Sequence, residues 1–154
     1  MVRIHRLRIV VDEDAIDVNR HVNNLAYLRW MQDVATGHSA ALGWTHERYQ
    51  ALGAGWFVRS HHIEYLKPAF AGDTLLVYTW VADRLTHSST RRYAFMRDDD
   101  GAAIARAETR WVFVDFESGR PVRIPAEVRD DFPVVPDDDP ELVALTSKAS
   151  KPAR

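Results

Sequence analysis

The sequence predicts an α+β fold in which an antiparallel β-sheet wraps around one long central helix. Three observations carry this. One long stretch has helical spacing of its polar residues, four long extended runs follow it through hairpin-length connectors, and 46% of the 154 residues are hydrophobic, enough for one core. A chain of this size hides about 70% of its extended surface on folding, so it needs no staples. With no Cys at all, disulfides, a thiol nucleophile, Cys-bound zinc and iron–sulfur clusters are excluded.

Arg3 to Val11 alternates charged and β-branched residues, as a first strand with one wet face does. Asp12 to Asn24 breaks the rhythm with acids, Asn and His21, a composition of turns and caps. From Leu25 to about Leu42, Arg29, Gln32, Asp33 and Thr36 recur at three- and four-residue spacings. Leu25, Ala26, Tyr27, Leu28, Trp30, Met31, Val34 and Ala35 fill the remaining arc, so a mostly buried helix is expected there. Asn23 or Asn24 is its N-cap and Gly43 its stop. A second helix is expected from Thr45 to Leu52. Strands are expected over Trp56–Leu66, Asp73–Arg84, Ser88–Arg97 and Ala102–Phe116, joined as a meander. Arg120–Ile124 reads as a small strand and Ala126–Asp131 as a helical turn. Residues 1–132 thus form one domain, and 133–154, rich in Pro, Asp, Ser and Lys, read as a loosely ordered tail.

Twenty Lys and Arg against 22 Asp and Glu leave a net charge of -2, which gives no footprint for a nucleic-acid partner. Apolar runs fall far short of the roughly 20 residues that cross a bilayer, so no membrane partner is expected. The opening MVRIHRLRIVVDED has too short an apolar stretch for a secretory segment, and the expected compartment is cytoplasmic. The long sheet would expose edges in a lone copy, which points to a homodimer or homotetramer.

Asp17-Val18-Asn19-Arg20-His21-Val22-Asn23-Asn24 is the densest polar cluster, and it runs straight into the long helix. A helix start offers unpaired N–H groups and the positive end of the dipole, which can hold a developing oxyanion. Asp17 lies where a loop can fold it back to that point. The plainer alternative is that Asp17 and Asn19 make local turns, Asn23 caps the helix and His21 only packs.

DVNRHVNNLAYLRW resembles the active-site segment of hot-dog-fold acyl thioesterases, of the form D-x-N-x-H-V-N-N-x-x-Y followed by the central helix. It is most similar to the second hot-dog half of plant acyl–carrier-protein thioesterases. The layout from Arg3 to about Phe132 also resembles bacterial single-domain acyl-CoA thioesterases of the 4-hydroxybenzoyl-CoA thioesterase type. IEYLKPAFAGD and GRPVRIPAEVRDDF resemble further segments of those bacterial enzymes. The resemblance implies a hot-dog fold and hydrolysis of acyl-CoA or acyl–carrier-protein thioesters without a cofactor or metal. It puts Asp17 at the catalytic carboxylate and matches Asn19 and His21 to the plant-type Asn and His. Where the plant enzymes carry an acid and a Cys, Pro68 and Ala69 stand here. Amides near Asn23 and Asn24 would form the oxyanion hole, with Asp17 as general base or nucleophile.

A thioester suits so sparse a site, because a thiol of pKa about 8.5 leaves as thiolate without strong acid help. Tyr27, Trp30, Trp56 and Phe57 are candidates for an acyl pocket, although large aromatics are core residues by default. Arg59, His61 and His62, with Arg91 and Arg92 on a neighbouring strand, are candidates for carrier phosphates. Asp33 on the helix is the rival carboxylate. Two other readings stay open: a hydratase of enoyl-CoA on the same fold, and a domain that binds acyl groups without turnover.

Overall fold

One stripe of α1 (Asn24–Ala41) is buried: Tyr27, Trp30, Met31, Val34, Ala35 and His38, at the spacing of a single helix face. The opposite face is wet. Leu25 is 71% exposed, so the helix is less enclosed than its apolar content suggests. Asn23 starts it, its side-chain oxygen accepting the Leu25 N–H at 2.8 Å. Beyond the last turn Gly43 takes φ +90°, a conformation that costs other residues a steric clash.

The computed structural model describes residues 2–147. Around α1 lies one sheet built from β1 (His5–Val10), β2 (Ala54–Tyr65), β3 (Thr74–Arg84), β4 (Ser88–Arg97) and β5 (Ala103–Asp115). Its spatial order is β1-β3-β4-β5-β2, every neighbouring pair antiparallel. The two strands that flank α1 in sequence therefore become the two opposite edges of the sheet. Bulges at Val58/Ser60, Val81/Asp83 and Phe95/Met96 add local twist and bend. On the inner face Leu75, Val77, Tyr93, Phe95 and Ile104 pack against the helix stripe. A second buried cluster, with Trp44, Phe113, Ile124, Val128 and Phe132, joins α2 (His46–Leu52) and α3 (Ala126–Asp131) to the far end of the sheet.

The small strand expected at Arg120–Ile124 is reduced to one bridge, Val114 to Pro121. The region after Phe132 departs further from expectation. Val134 bridges Val81 in parallel, and α4 (Pro140–Thr146) lays Leu142 on the outer sheet face with Leu76, Tyr78, Trp80, Ala94 and Met96. Three features tie it down. Asp139 caps α4 through the Glu141 and Leu142 N–H groups, Arg3 pairs with Asp139, and Arg92 pairs with Asp137. Composition marked this stretch as loose, but its sparse apolar residues cover an apolar outer face that would otherwise be wet. The last part of the expected tail, 148–154, lies outside the described residues. Among the described residues no helix is long and apolar enough to cross a membrane.

Leu142 is 4% exposed, so Leu142→Ala is expected to cost about 2–4 kcal/mol in urea unfolding. A change within error would mean that α4 does not stay on the sheet in solution.

Candidate active site

Asp17 closes the loop that leads into α1. Its Oδ1 accepts the main-chain N–H of Asn19 at 2.9 Å and of His21 at 3.2 Å. The Asp17 N–H in turn donates to the His21 carbonyl at 2.9 Å, and Ile16 bridges Val22 at the base of the loop. Arg20 takes φ 65° to make this turn. Asp17 is half-buried, and Oδ2 has no partner among the described residues. The loop is fixed from outside by Val22 N–H donating to the Ala69 carbonyl at 3.0 Å and Asn23 N–H to the Ala15 carbonyl at 2.6 Å. Thus Ala69 holds the loop in place through its main-chain carbonyl.

At the helix start the Leu25 N–H is taken by the Asn23 side chain and the Ala26 N–H by the Asn23 carbonyl. The Asn24 N–H has no acceptor among the described residues, and Asn24 is exposed. The half-buried Asp17 thus sits in a closed loop that leads directly into the open amide at the helix start. The Asn19 and His21 side chains are exposed and make no hydrogen bonds among the described residues, so it is their amides that orient Asp17. The His21 ring meets the edge of Phe70 at 5.4 Å. Asp33 is exposed, away from the buried stripe of α1.

The four aromatic candidates do not share one pocket. Tyr27 and Trp30 belong to the core beneath the helix start, where Tyr27 meets Trp30, Tyr65 and Phe95 edge-on. Burial pushes the Tyr27 hydroxyl up to about 12. Trp56 and Phe57 line a cavity of about 560 Å³ at the other end of the molecule, between the second half of α1, α2 and the start of β2. The phosphate candidates also separate, because neighbours along a strand point to opposite faces. Arg91, Thr109 and His61 stand in one row across the sheet, facing inward, while Arg92, Glu108 and His62 form the adjacent outward row. Arg91 is buried at 6% exposure, and Arg92 is paired with Glu108 and Asp137. His62 lies 3.6 Å from Glu64. Arg59 is exposed at the β2 bulge.

Comparison with known proteins places this arrangement. The family model of the thioesterase-like superfamily matches residues 10–132. The chain belongs to that superfamily. Among curated proteins it is similar to the chloroplastic oleoyl-acyl carrier protein thioesterase 2 of Arabidopsis thaliana, 24% identical over 90% of this chain and 39% of that protein. The chain therefore spans about two-fifths of that relative's length. Among solved structures it superposes on a 1,4-dihydroxy-2-naphthoyl-CoA thioesterase from Synechocystis with a TM-score of 0.76 and 16% identity, covering 83% of this chain and 94% of that one. It also superposes on the 12:0-ACP thioesterase from Umbellularia californica, with a TM-score of 0.76 and 21% identity over 88% of this chain and 57% of that one. The expected hot-dog fold is thereby shown.

Within this thioesterase-like domain, one buried group carried no sequence signal. His38 is fully buried on the inner side of α1; its Nε2–H donates to the Val2 carbonyl at 2.8 Å and its Nδ1 accepts from Arg91 at 2.8 Å. The His5 ring stacks on it at 5.5 Å. Burial, and then the Arg91 charge, push His38 down to about 4. Only a contact between residues far apart in the chain could reveal it; the helical spacing of His38 with Ala35 and Val34 marks the face, not the partner.

A pH dependence follows. The unfolded chain binds a proton on His38 near pH 6.5 while the folded chain resists until about pH 4, so stability is full above 6.5 and falls as pH drops through that window. His38→Gln is expected to lose up to about 3 kcal/mol of the stability difference between pH 7 and pH 4. Urea unfolding at both pH values checks this; an unchanged pH slope overturns it.

Proposed function

We propose that the protein hydrolyses acyl thioesters of coenzyme A or an acyl carrier protein. The observation that carries this is the Asp17 loop closed onto the start of α1, with Oδ2 and the Asn24 N–H both unengaged. The substrate carbonyl oxygen accepts from the Asn24 N–H, where the helix dipole favours the negative charge that develops. Oδ2 takes a proton from water as that water bonds to the carbonyl carbon. The C–S bond then breaks, and the sulfur leaves as thiolate. The two amides on Oδ1 keep the carboxylate aimed without a side-chain orienter. Attack by Oδ2 itself, giving a mixed anhydride, uses the same unengaged oxygen; in single-turnover hydrolysis in heavy-oxygen water, an Asp17 oxygen in the released acid and label on Asp17 identify an anhydride opened by water at the Asp17 carbonyl.

The working unit in this proposal is a dimer joined through β2. That strand is an edge of the sheet, with its outer main-chain groups unpaired, and Phe57, Val58 and Tyr65 on it, with Leu66 just beyond its end, are exposed. Its two ends lie at different places: Tyr65 touches Tyr27 below the helix start, and Trp56 and Phe57 line the cavity. Antiparallel pairing about a twofold near the strand's middle sets the helix start of one copy beside the cavity of the other. Hydration of an enoyl thioester has no comparable support.

Asp17→Asn is expected to lower thiol release from an acyl-CoA panel by roughly 10²–10⁴-fold, while Asp33→Asn stays near the parent rate. Equal rates for parent and Asp17→Asn would remove the assignment. Val58→Glu, which puts a charge on the open edge, is expected to yield monomers in sedimentation and to lose activity with them; a fully active monomer would overturn the composite site.

A further inference from the structure

The cavity beside the second half of α1 carries an unbalanced charge. Three arginines, Arg84, Arg91 and Arg129, line it and no Asp or Glu does; Arg129 pairs with Asp130 at 3.8 Å, whereas Arg84 and Arg91 have no acid partner among the described residues. Arg91 is the buried one, at 6% exposure. Its Nη1 donates to His38 Nδ1 at 2.8 Å and to Thr79 Oγ1 at 3.1 Å, while Nε and Nη2 have no acceptor among the described residues. His38 supplies no counter-charge: its Nε2–H is committed to the Val2 carbonyl, and its Nδ1 lone pair only accepts. No described acid comes within ion-pair distance of Arg91, whereas its neighbour Arg92 has two. Arg84 adds a buried Nε that also lacks a partner. A desolvated cation without an anion is costly, and Arg stays protonated in proteins.

We propose that this cavity receives the acyl part of a thioester whose far end is a carboxylate, and that Arg91 binds that carboxylate through Nε and Nη2. This inference rests on the thioesterase reading and narrows its substrate to monothioesters of dicarboxylic acids. A planar fork with two open donors matches one carboxylate bidentately. The surrounding Val81, Trp111 and Phe132 suit a methylene chain better than a heavily hydrated phosphate. His38 lies about 21 Å along α1 from Asn24 at 1.5 Å per residue. The thioester therefore comes from the cavity mouth at Trp56 and Phe57, where the β2-paired copy brings its helix start.

The test is thiol release by the intact protein from matched substrates, hexanoyl-CoA against adipoyl-CoA and octanoyl-CoA against suberoyl-CoA. The parent is expected to favour the carboxylate-ended member in kcat/KM by about ten- to a hundredfold, the scale of one charge-assisted contact. Arg91→Gln is expected to remove most of that ratio and Arg91→Lys to keep part of it. A parent that favours the methyl-ended members, or an Arg91→Gln that slows both alike, overturns the proposal. The same pairs as pantetheine thioesters, which lack the nucleotide phosphates, must show the same ratio; a ratio that vanishes assigns Arg91 to the carrier and also overturns it. If no substrate releases thiol, the thioesterase reading fails instead. The cavity is then judged by calorimetry with suberate: binding that Arg91→Gln abolishes supports the carboxylate site, and no heat overturns it.

Discussion

The burial of a single stripe of α1 in the concave face of the sheet sets the position of both candidate sites in this molecule. Tyr27, Trp30, Met31, Val34, Ala35 and His38 must all face Leu75, Val77, Tyr93 and Phe95 or their partners across the sheet. That fixes the helix axis and brings its N-terminus out at one end, where the Asp17 loop is pinned between Ala15 and Ala69. It also leaves the other end of the helix partly uncovered. There α2, α3 and the start of β2 close around a cavity instead of a packed core. One side of a helix thus sets two candidate sites, one polar and main-chain built, the other apolar and cationic.

Much of this layout was legible along the chain because it depends on local rules. The Asn23 cap, the Gly43 stop and the two hairpin connectors β3–β4 and β4–β5 come from turn and cap chemistry, and the strands from extended runs of fixed length; the expected meander breaks at Pro68–Gly72, where the short connector crosses over, because β2 pairs with β5 and not with β3. What was not legible depends on tertiary partners. Leu25 has the composition of a buried residue but sits on a face with no neighbour in one copy. Residues 133–147 have a disordered composition, yet the outer sheet face supplies the apolar surface that Leu142 and Val135 need.

The site divides in the same way. Asp17 stands out as a candidate because its position before a helix cap and its motif agree, but the manner of its orientation does not: the main-chain amides of Asn19 and His21 that hold it have no letter in the sequence. The phosphate candidates do not gather on one face, because a dipeptide such as Arg91-Arg92 in a strand sends its members to opposite faces. Trp56 and Phe57 line one cavity while Tyr27 and Trp30 lie in the core, a separation that aromatic content alone does not show.

The placement of α4 narrows how copies can assemble. Arg3, Arg92, Asp137 and Asp139 fasten the segment before and within α4 to the outer sheet face. With that face covered over Leu76, Tyr78, Trp80, Ala94 and Met96, stacking of two sheets back to back would first have to displace α4. The β1 edge is a short strand of six residues carrying alternating charges, a poor template for pairing. The β2 edge is twice as long, at twelve residues, and carries exposed apolar side chains. Pairing at β2 displaces no described contact, and in the proposed dimer it is the arrangement that would let the carboxylate of one copy meet the cavity of the other. A monomer would instead have to carry an acyl chain the length of its own helix, past a core already filled by Tyr27, Trp30 and Met31.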